Sequence, residues 1–402
     1  PADCPTCVGG VARRHTLVRS IRLSQNPMVL LENGDLTQGA GAENELTFQT
    51  AILAMNEMGY DAFNIGEIDV TLGARFLTNL AERAEFPFIS ANLAGSDGQR
   101  LFPAYTVMER VIGGKKIRVA VIGVMSDDVG DYLAAQHGLD VKVLDAERTL
   151  ATALYRLKDK ADLRILLAHA GPQEALSWTE AHPEIDMTVY SHEADRPVKH
   201  EKSTEEQIVV NAGNGGQYLA RTDIVLDESG GFSHNYETLT LSDKVPDSPV
   251  VRKILDCSMR MMVEQGFSKR TLTKQPERGG YYLGSEGCSE CHLEQFNIWS
   301  ENRHSKAFAP LENEGKQSDP ACLPCHVTGY RFFTGFESLS ETPDLASVGC
   351  EVCHGVGSNH AENPTKRYGR TSRRDCKSCH DKQNSPRFDY NSYYEKMAHE
   401  NG

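Results

Sequence analysis

The sequence predicts two unlike parts in series: an α/β domain, then a mainly α and irregular segment without enough aliphatic residues for a core of its own. Three observations carry this reading. Over residues 1–245, short β-branched runs alternate with amphipathic stretches, the pattern of strands covered by helices. From about Gly279 onward the alternation stops, and polar sequence rich in glycine and turn formers takes over. Within that second part the pattern Cys-x-x-Cys-His occurs four times.

In chain order, strands are expected at Met28–Glu32, Ile117–Gly123, Arg164–Ala168, Met187–Tyr190, Gln207–Val210 and Thr222–Leu226. Between them Leu46–Met58, Ala74–Ala84 and Glu147–Lys160 carry apolar residues at three- and four-residue spacing, as helices packed on a sheet do. A joint follows over residues 246–279. There Ser248 is a capping residue before Pro249, a first-turn proline, and a helix is expected over Val250–Phe267. The third region, 280–402, needs non-peptide apolar mass to fill its interior.

The chain has 402 residues, 39% of them hydrophobic and 24% charged, with a net charge of -14. That balance argues against nucleic acid as a partner, because phosphate binding needs a basic face. No apolar run approaches the roughly 20 residues of a transmembrane helix. The start at Pro1 shows no basic stretch leading into an apolar one, so an exported protein would already have lost its signal.

Of the eleven cysteines, eight lie in the four motifs: Cys288/Cys291 with His292, Cys322/Cys325 with His326, Cys350/Cys353 with His354, and Cys376/Cys379 with His380. Two thiols about one helical turn apart can add to the two vinyl groups of a haem, and the adjacent imidazole then reaches the iron. A bare Cys-x-x-Cys is also half of a zinc site or a disulfide pair. Four repeats, each with histidine in fifth place, favour four covalently bound haem c groups. Such haem is attached outside the cytoplasmic membrane, so a periplasmic or extracellular location is expected.

Besides the four proximal histidines, this region contains only His304, His360 and His399. Seven histidines thus face eight axial positions, and the three free ones are read as distal ligands. Bis-histidine ligation keeps an iron six-coordinate in both oxidation states, which suits electron transfer.

The run Cys288 to His292 with Trp299, Ser300 and His304, then Cys325-His326-Val327-Thr328-Gly329-Tyr330, then Gly349 to His360, and finally Phe388-Asp389-Tyr390 before His399, resembles the tetrahaem cytochromes that accept electrons from hydroxylamine oxidoreductase. The resemblance covers about residues 280–402. It implies that His304, His360 and His399 are distal ligands and that one haem, the second, is five-coordinate. The eighth position, on the His326 haem, has three readings: an open iron, Met397, or a histidine lent by the first domain or a neighbouring chain. His15, beside Arg13 and Arg14, is the first candidate for the loan. A loan between chains would join them head to tail into a filament.

In the first domain, Val29 to Asp35, Tyr60 to Glu67, Leu166 to His169 and Val189 to His192 resemble the calcineurin-like metallophosphoesterases of the 5′-nucleotidase type, over about residues 8–240. The resemblance implies a β-sandwich flanked by helices, with Asp35, His169 and His192 as surviving metal ligands. The departures are substantial. No Asp-x-His opens the domain, Gly66-Glu67-Ile68-Asp69 stands in place of Gly-Asn-His-Glu, and Ser191-His192-Glu193-Ala194 keeps one imidazole of two. No divalent metal is therefore expected there. Cys4 and Cys7 could form a disulfide, or one of them could pair with Cys257.

The reading is an extracytoplasmic multihaem electron-transfer protein with redox protein partners, whose first domain serves as a docking or assembly scaffold. Its alternatives are a haem enzyme acting on a small nitrogen or sulfur compound at the open iron, and a metal-dependent phosphoesterase with a cytochrome attached.

Overall fold

The computed structural model describes residues 8–24, 27–128, 130, 139–226, 232–265, 276, 279–365, 368–369, 371–381, 384–385 and 387–399. They divide into two units, Val8–Leu255 and the residues from Asp256 onward.

The first unit opens with helix α1 (Val11–Arg22), followed by β1 (Leu31–Glu32), α2 (Ala42–Met58), β2 (Ala62–Asn64), α3 (Glu67–Val70), α4 (Ala74–Ala81), β3 (Phe88–Ile89) and β4 (Leu93–Gly95). Then come β5 (Tyr105–Ile112), β6 (Lys115–Met125), β7 (Val141–Val143), α5 (Ala146–Leu157), β8 (Leu163–His169), α6 (Pro172–Ala181) and β9 (Met187–Tyr190). The unit finishes with β10 (Val198–Lys199), β11 (Ile208–Asn211), the β12 (Tyr218–Leu226) and β13 (Phe232–Thr240) hairpin, and the start of α7 (Pro249–Glu264). Helix α7 runs across the division between the units.

β1, β2 and β3 form a three-stranded sheet, and a six-stranded sheet has the order β10-β11-β9-β8-β6-β5. Its central strands β11, β9, β8 and β6 are parallel, and the edge strands β10 and β5 are antiparallel to them. β6 shows why the two sheets face each other. Its Ile117, Val119 and Val121 join Leu163, Ile165 and Leu167 of β8 in a core with Ala62 and Ile89 of the smaller sheet. The intervening Ala120, Ile122 and Val124 pack with Leu150, Leu154 and Leu157 of α5 on the other side. A strand with both faces buried reads as a continuous apolar run, because side chains alternate with a period of two.

The outer face of the smaller sheet is covered by helices through Phe48, Ile52, Phe63, Leu77 and Phe88. The result is two sheets face to face with helices outside, the mixed α/β arrangement expected. Element ends moved by a few residues: β1 starts at Leu31, α4 ends at Ala81, and β11 is shifted to Ile208–Asn211.

Helix α1 was not expected. Its Arg14 guanidinium donates to Glu32 Oε2 at 2.9 Å and to the Tyr60 hydroxyl at 3.1 Å, tying the helix to β1 and the turn before β2. His15 is 7% exposed. The outward reach expected of His15 is therefore not what the structure shows, because α1 packs Ala12 and Val18 into the core.

The second unit is built from short helices and turns. Among its described residues the one apolar cluster, Phe308, Leu311, Leu323, Val327, Tyr330, Phe336 and Leu345, is small for a segment of this length. Buried Glu351 supplies polar cohesion. Its two carboxylate oxygens accept from the backbone amides of Leu283, Gly284 and Gly357 at 2.7–3.1 Å. Cys257 is exposed with a free thiol. Cys4 and Cys7 lie outside the described residues.

Candidate functional site

Each Cys-x-x-Cys-His run closes a helical turn. The amide of His292 donates to the Cys288 carbonyl and that of His380 to the Cys376 carbonyl, both at 2.9 Å, while helices span Leu323–His326 and Cys350–His354. Such turns place each thiol pair on one side with the imidazole just beyond, the arrangement a porphyrin edge and iron require.

The motif cysteines differ in exposure. Cys288, Cys322, Cys325, Cys350, Cys353, Cys376 and Cys379 are all half-buried, whereas Cys291 is exposed. The reason is local: the helix Gly284–Ser289 ends before Cys291, which sits in the following turn with its amide donating to the Cys288 carbonyl at 3.3 Å.

The histidines meet in pairs. His292 faces His360 with ring centroids 6.2 Å apart, His304 faces His380 at 6.1 Å, and His354 faces His399 at 5.7 Å. An imidazole nitrogen sits about 2 Å from its metal, so two rings on opposite sides of one iron have centroids about 6 Å apart. The three separations match that span. Burial lowers the pKa of His304, His354 and His380, which keeps these rings in the neutral form that binds a metal.

Second contacts orient the rings. The His326 Nδ1 faces the Ala307 carbonyl at 2.5 Å, and His380 Nδ1 lies 2.9 Å from Ser385 Oγ. A proton held on Nδ1 leaves Nε2 for a metal. Tyr368 stacks on His360 at 4.7 Å and Phe388 on His380 at 4.9 Å, both nearly parallel. Among the described residues no second imidazole stands opposite His326. Met397 lies just beyond the Tyr390–Tyr394 helix and donates its amide to the Tyr394 carbonyl.

The motifs are also close to one another. The Cys288 thiol lies against that of Cys350, Cys325 against Cys379, and Cys353 near Cys376. Pairing across motifs was not legible in the sequence, since it depends on how the turns between them fold.

In the first unit, Asp35, Glu67, His169 and His192 converge where β1, β2, β8 and β9 end, the edge at which α/β sheets hold ligands. His169 Nε2 lies 2.5 Å from Glu67 Oε2 and 3.3 Å from Asp35 Oδ2, and His192 Nε2 lies 3.4 Å from Glu67 Oε1. Burial alone would push the Glu67 carboxyl up, but the His169 and His192 imidazoles beside it hold it well below the usual range. His169 is displaced upward, Asp35 and Glu67 outweighing the effect of burial.

Asp69 organises this corner. Fully buried, it accepts from the amides of Asp35, Leu36 and Gly66 at 2.8–3.0 Å, and burial beside Asp35 pushes its carboxyl up to about 7. Asp35 is held at φ 60, an uncommon conformation for a residue with a side chain. The structure brings Asp35, His169 and His192, named from the sequence, together with Glu67, which was not named as a ligand. Reading Gly66-Glu67 as the loss of an amide ligand overlooked that a carboxylate is itself a metal ligand.

Fold and motifs together define a class of protein, a calcineurin-like phosphoesterase fold joined to a region with the Cys-x-x-Cys-His motifs of c-type cytochromes. In particular, residues 287–355 match the family model described as cytochrome c554 and c-prime. Cytochrome c-554 of Nitrosomonas europaea is 38% identical over 19% of this chain and 40% of its own length. The first unit is similar to the 2′,3′-cyclic-nucleotide 2′-phosphodiesterase/3′-nucleotidase of Haemophilus influenzae, 27% identical over 47% of this chain and 33% of that protein. The crystal structure of the calcineurin-like phosphoesterase YfkN from Bacillus subtilis superposes with a TM-score of 0.55 at 21% identity, covering 65% of this chain and 91% of that one. The chain spans 19% to 49% of the length of the first curated relatives it matches. No helix among the described residues is long and apolar enough to cross a membrane.

Proposed function

We propose that the protein is an extracytoplasmic electron carrier with four haem c groups, three of them ligated by the pairs His292/His360, His304/His380 and His354/His399. The observation that carries this reading is the three ring pairs at 5.7–6.2 Å. Bound there, each haem supplies a one-electron couple whose iron stays six-coordinate in both oxidation states. The chain's own residues hold the imidazoles at fixed spacing, so little has to reorganise when the charge changes.

The thiol contacts set an order. Cys288 beside Cys350, Cys379 beside Cys325, and Cys353 within reach of the charge of Cys376 string the motifs as first, third, fourth, second. Haems held through these cysteines would follow one another in this order. The His326 haem then lies at one end of the series, the place for exchange with a partner. At the other end, the first haem would be held by Cys288 and the exposed Cys291. A histidine from another chain at the free axial position of the His326 haem would extend the series through a head-to-tail assembly. The first unit is the docking or assembly scaffold in this reading, and its buried His15 is a poor lender.

Single replacements test the ligand set. His304→Ala, His360→Ala and His399→Ala should each convert one haem from low to high spin, while His15→Ala converts none in the separated chain. A low-spin count unchanged by all three replacements in the second unit would sink the assignment.

A further inference from the structure

We propose that Tyr368 is a positioning residue shared by two haem sites, its ring setting the orientation of His360 on the first haem and of His354 on the third. The inference rests on the ligand pairs assigned above, His292/His360 and His354/His399. The Tyr368 ring lies 4.7 Å from that of His360, at 7° to it, and 6.2 Å from that of His354, at 26°. Among the described residues no other tyrosine, phenylalanine or tryptophan ring meets histidines of two different pairs. Phe388 and Tyr393 both contact His380, at 4.9 Å and 5.4 Å, and serve one pair only.

The ring is anchored from several sides. Its hydroxyl donates to the carbonyl of Gly355, the residue directly after His354. The next residue holds the same imidazole from the backbone, the Gly369 carbonyl accepting from the His354 ring. Gly369 sits at φ +28, and a Cβ there would collide with the His354 carbonyl oxygen, so glycine is what lets the two backbones approach so closely. A Cβ on Gly357 would come within 3.3 Å of the Tyr368 hydroxyl and 3.2 Å of Glu351 Oε1. Gly357 thus leaves room for the tyrosine beside the carboxylate that accepts from its own amide at 2.7 Å.

An imidazole bound to iron can turn about the iron–nitrogen axis, and its plane decides which iron d orbital meets its π electrons. The angle between the two planes on one iron therefore sets the splitting of the d levels. That splitting is read as the g-values of the oxidised haem, and contacts to the ligand also tune the reduction potential. A ring stacked on one face of the imidazole, and fixed at its own hydroxyl, blocks the rotation. Tyr368 does so for His360, whose plane lies 27° from that of His292, and bears on His354, 34° from His399. Because one ring serves both, the two imidazoles are held to a single frame where the Cys288 and Cys350 thiols meet. That junction is the first step of the series of motifs.

The test uses electron paramagnetic resonance of the full-length, haem-loaded protein, oxidised and as dissociated chains. His360→Ala, His399→Ala and His304→Ala assign the three low-spin signals by removing one each. Tyr368→Leu takes away the stacked face. It should shift the g-values of the His292/His360 and His354/His399 signals, and the midpoint potentials of those two haems, while three low-spin irons and four attached haems remain. The His304/His380 signal should stay in place. Tyr368→Phe keeps the aromatic face and should keep the parent g-values. Unchanged g-values in Tyr368→Leu, a shift of one signal only, or a shift of all three would overturn the proposal. So would a Tyr368→Phe spectrum shifted as far as that of Tyr368→Leu, which would give the effect to the hydroxyl rather than the ring. Alanine replacements that fail to remove one signal each overturn the ligand pairs and this proposal with them. With the three signals assigned, the leucine spectrum judges Tyr368 alone.

Discussion

Glu351 lies inside the third Cys-x-x-Cys-His motif, yet its carboxylate fastens two distant stretches. It accepts from Leu283 and Gly284, just before Cys288 and His292, and from Gly357, just before His360. His292 and His360 form one of the ring pairs, so Glu351 clamps together the two segments that supply that pair. Glu351→Gln replaces one acceptor oxygen by an amide nitrogen. At least one buried backbone N–H then faces a donor, at about 1–3 kcal/mol, and the remaining bonds lose their charge assistance, about 1 kcal/mol more. The expected loss is about 3 kcal/mol, roughly a hundredfold in the opening equilibrium of this region. Guanidinium titration of the haem-loaded protein, followed in the Soret band, reads it out. One haem of four should lose low-spin character at lower denaturant than in the parent, while the thioethers keep it attached. A change under about 0.5 kcal/mol, with all haems altering together as in the parent, would refute the clamp.

The intact mass and a pyridine haemochrome assay should both report four haems per chain, and fewer would undo the ligand count. Nucleotides and phenyl phosphate should not be hydrolysed in the presence of manganese, because Ile68 and Ala194 leave no second metal position; turnover abolished by Asp35→Ala would contradict this. Phe63 is fully buried, with its ring 4.9 Å from Phe88 and 5.7 Å from Phe48. Phe63→Ala should cost about 3–5 kcal/mol in denaturant unfolding followed by far-ultraviolet circular dichroism, without altering the haem spectrum.

Much of the α/β layering was legible because β6, β8 and β9 are short apolar runs bounded by turns, and Met187–Tyr190 appears with the expected limits. Helix α1 was not legible, since Val11–Arg22 carries four arginines and a histidine among its few apolar residues. Its burial depends on partners far along the chain, Glu32 and Tyr60. The hairpin strand Phe232–Thr240 was missed because polar residues such as His234, Asn235 and Glu237 break the apolar alternation, and pairing with β12 decides its conformation. The Cys-x-x-Cys-His motifs could be read directly from the sequence, because thioether chemistry would fix their spacing. The exposure of Cys291 could not, because it depends on where the preceding helix stops and what packs beside it. Nor could the match of distal histidine to motif, because His292 meets His360 only through folding of the intervening chain.

The measurement that tests the account most directly is a count of iron spin states in the oxidised, haem-loaded protein, by electron paramagnetic resonance on dissociated chains. The account predicts three low-spin bis-histidine irons and one, on His326, of different character. Four low-spin bis-histidine irons in the separated chain, or fewer than three, would contradict it.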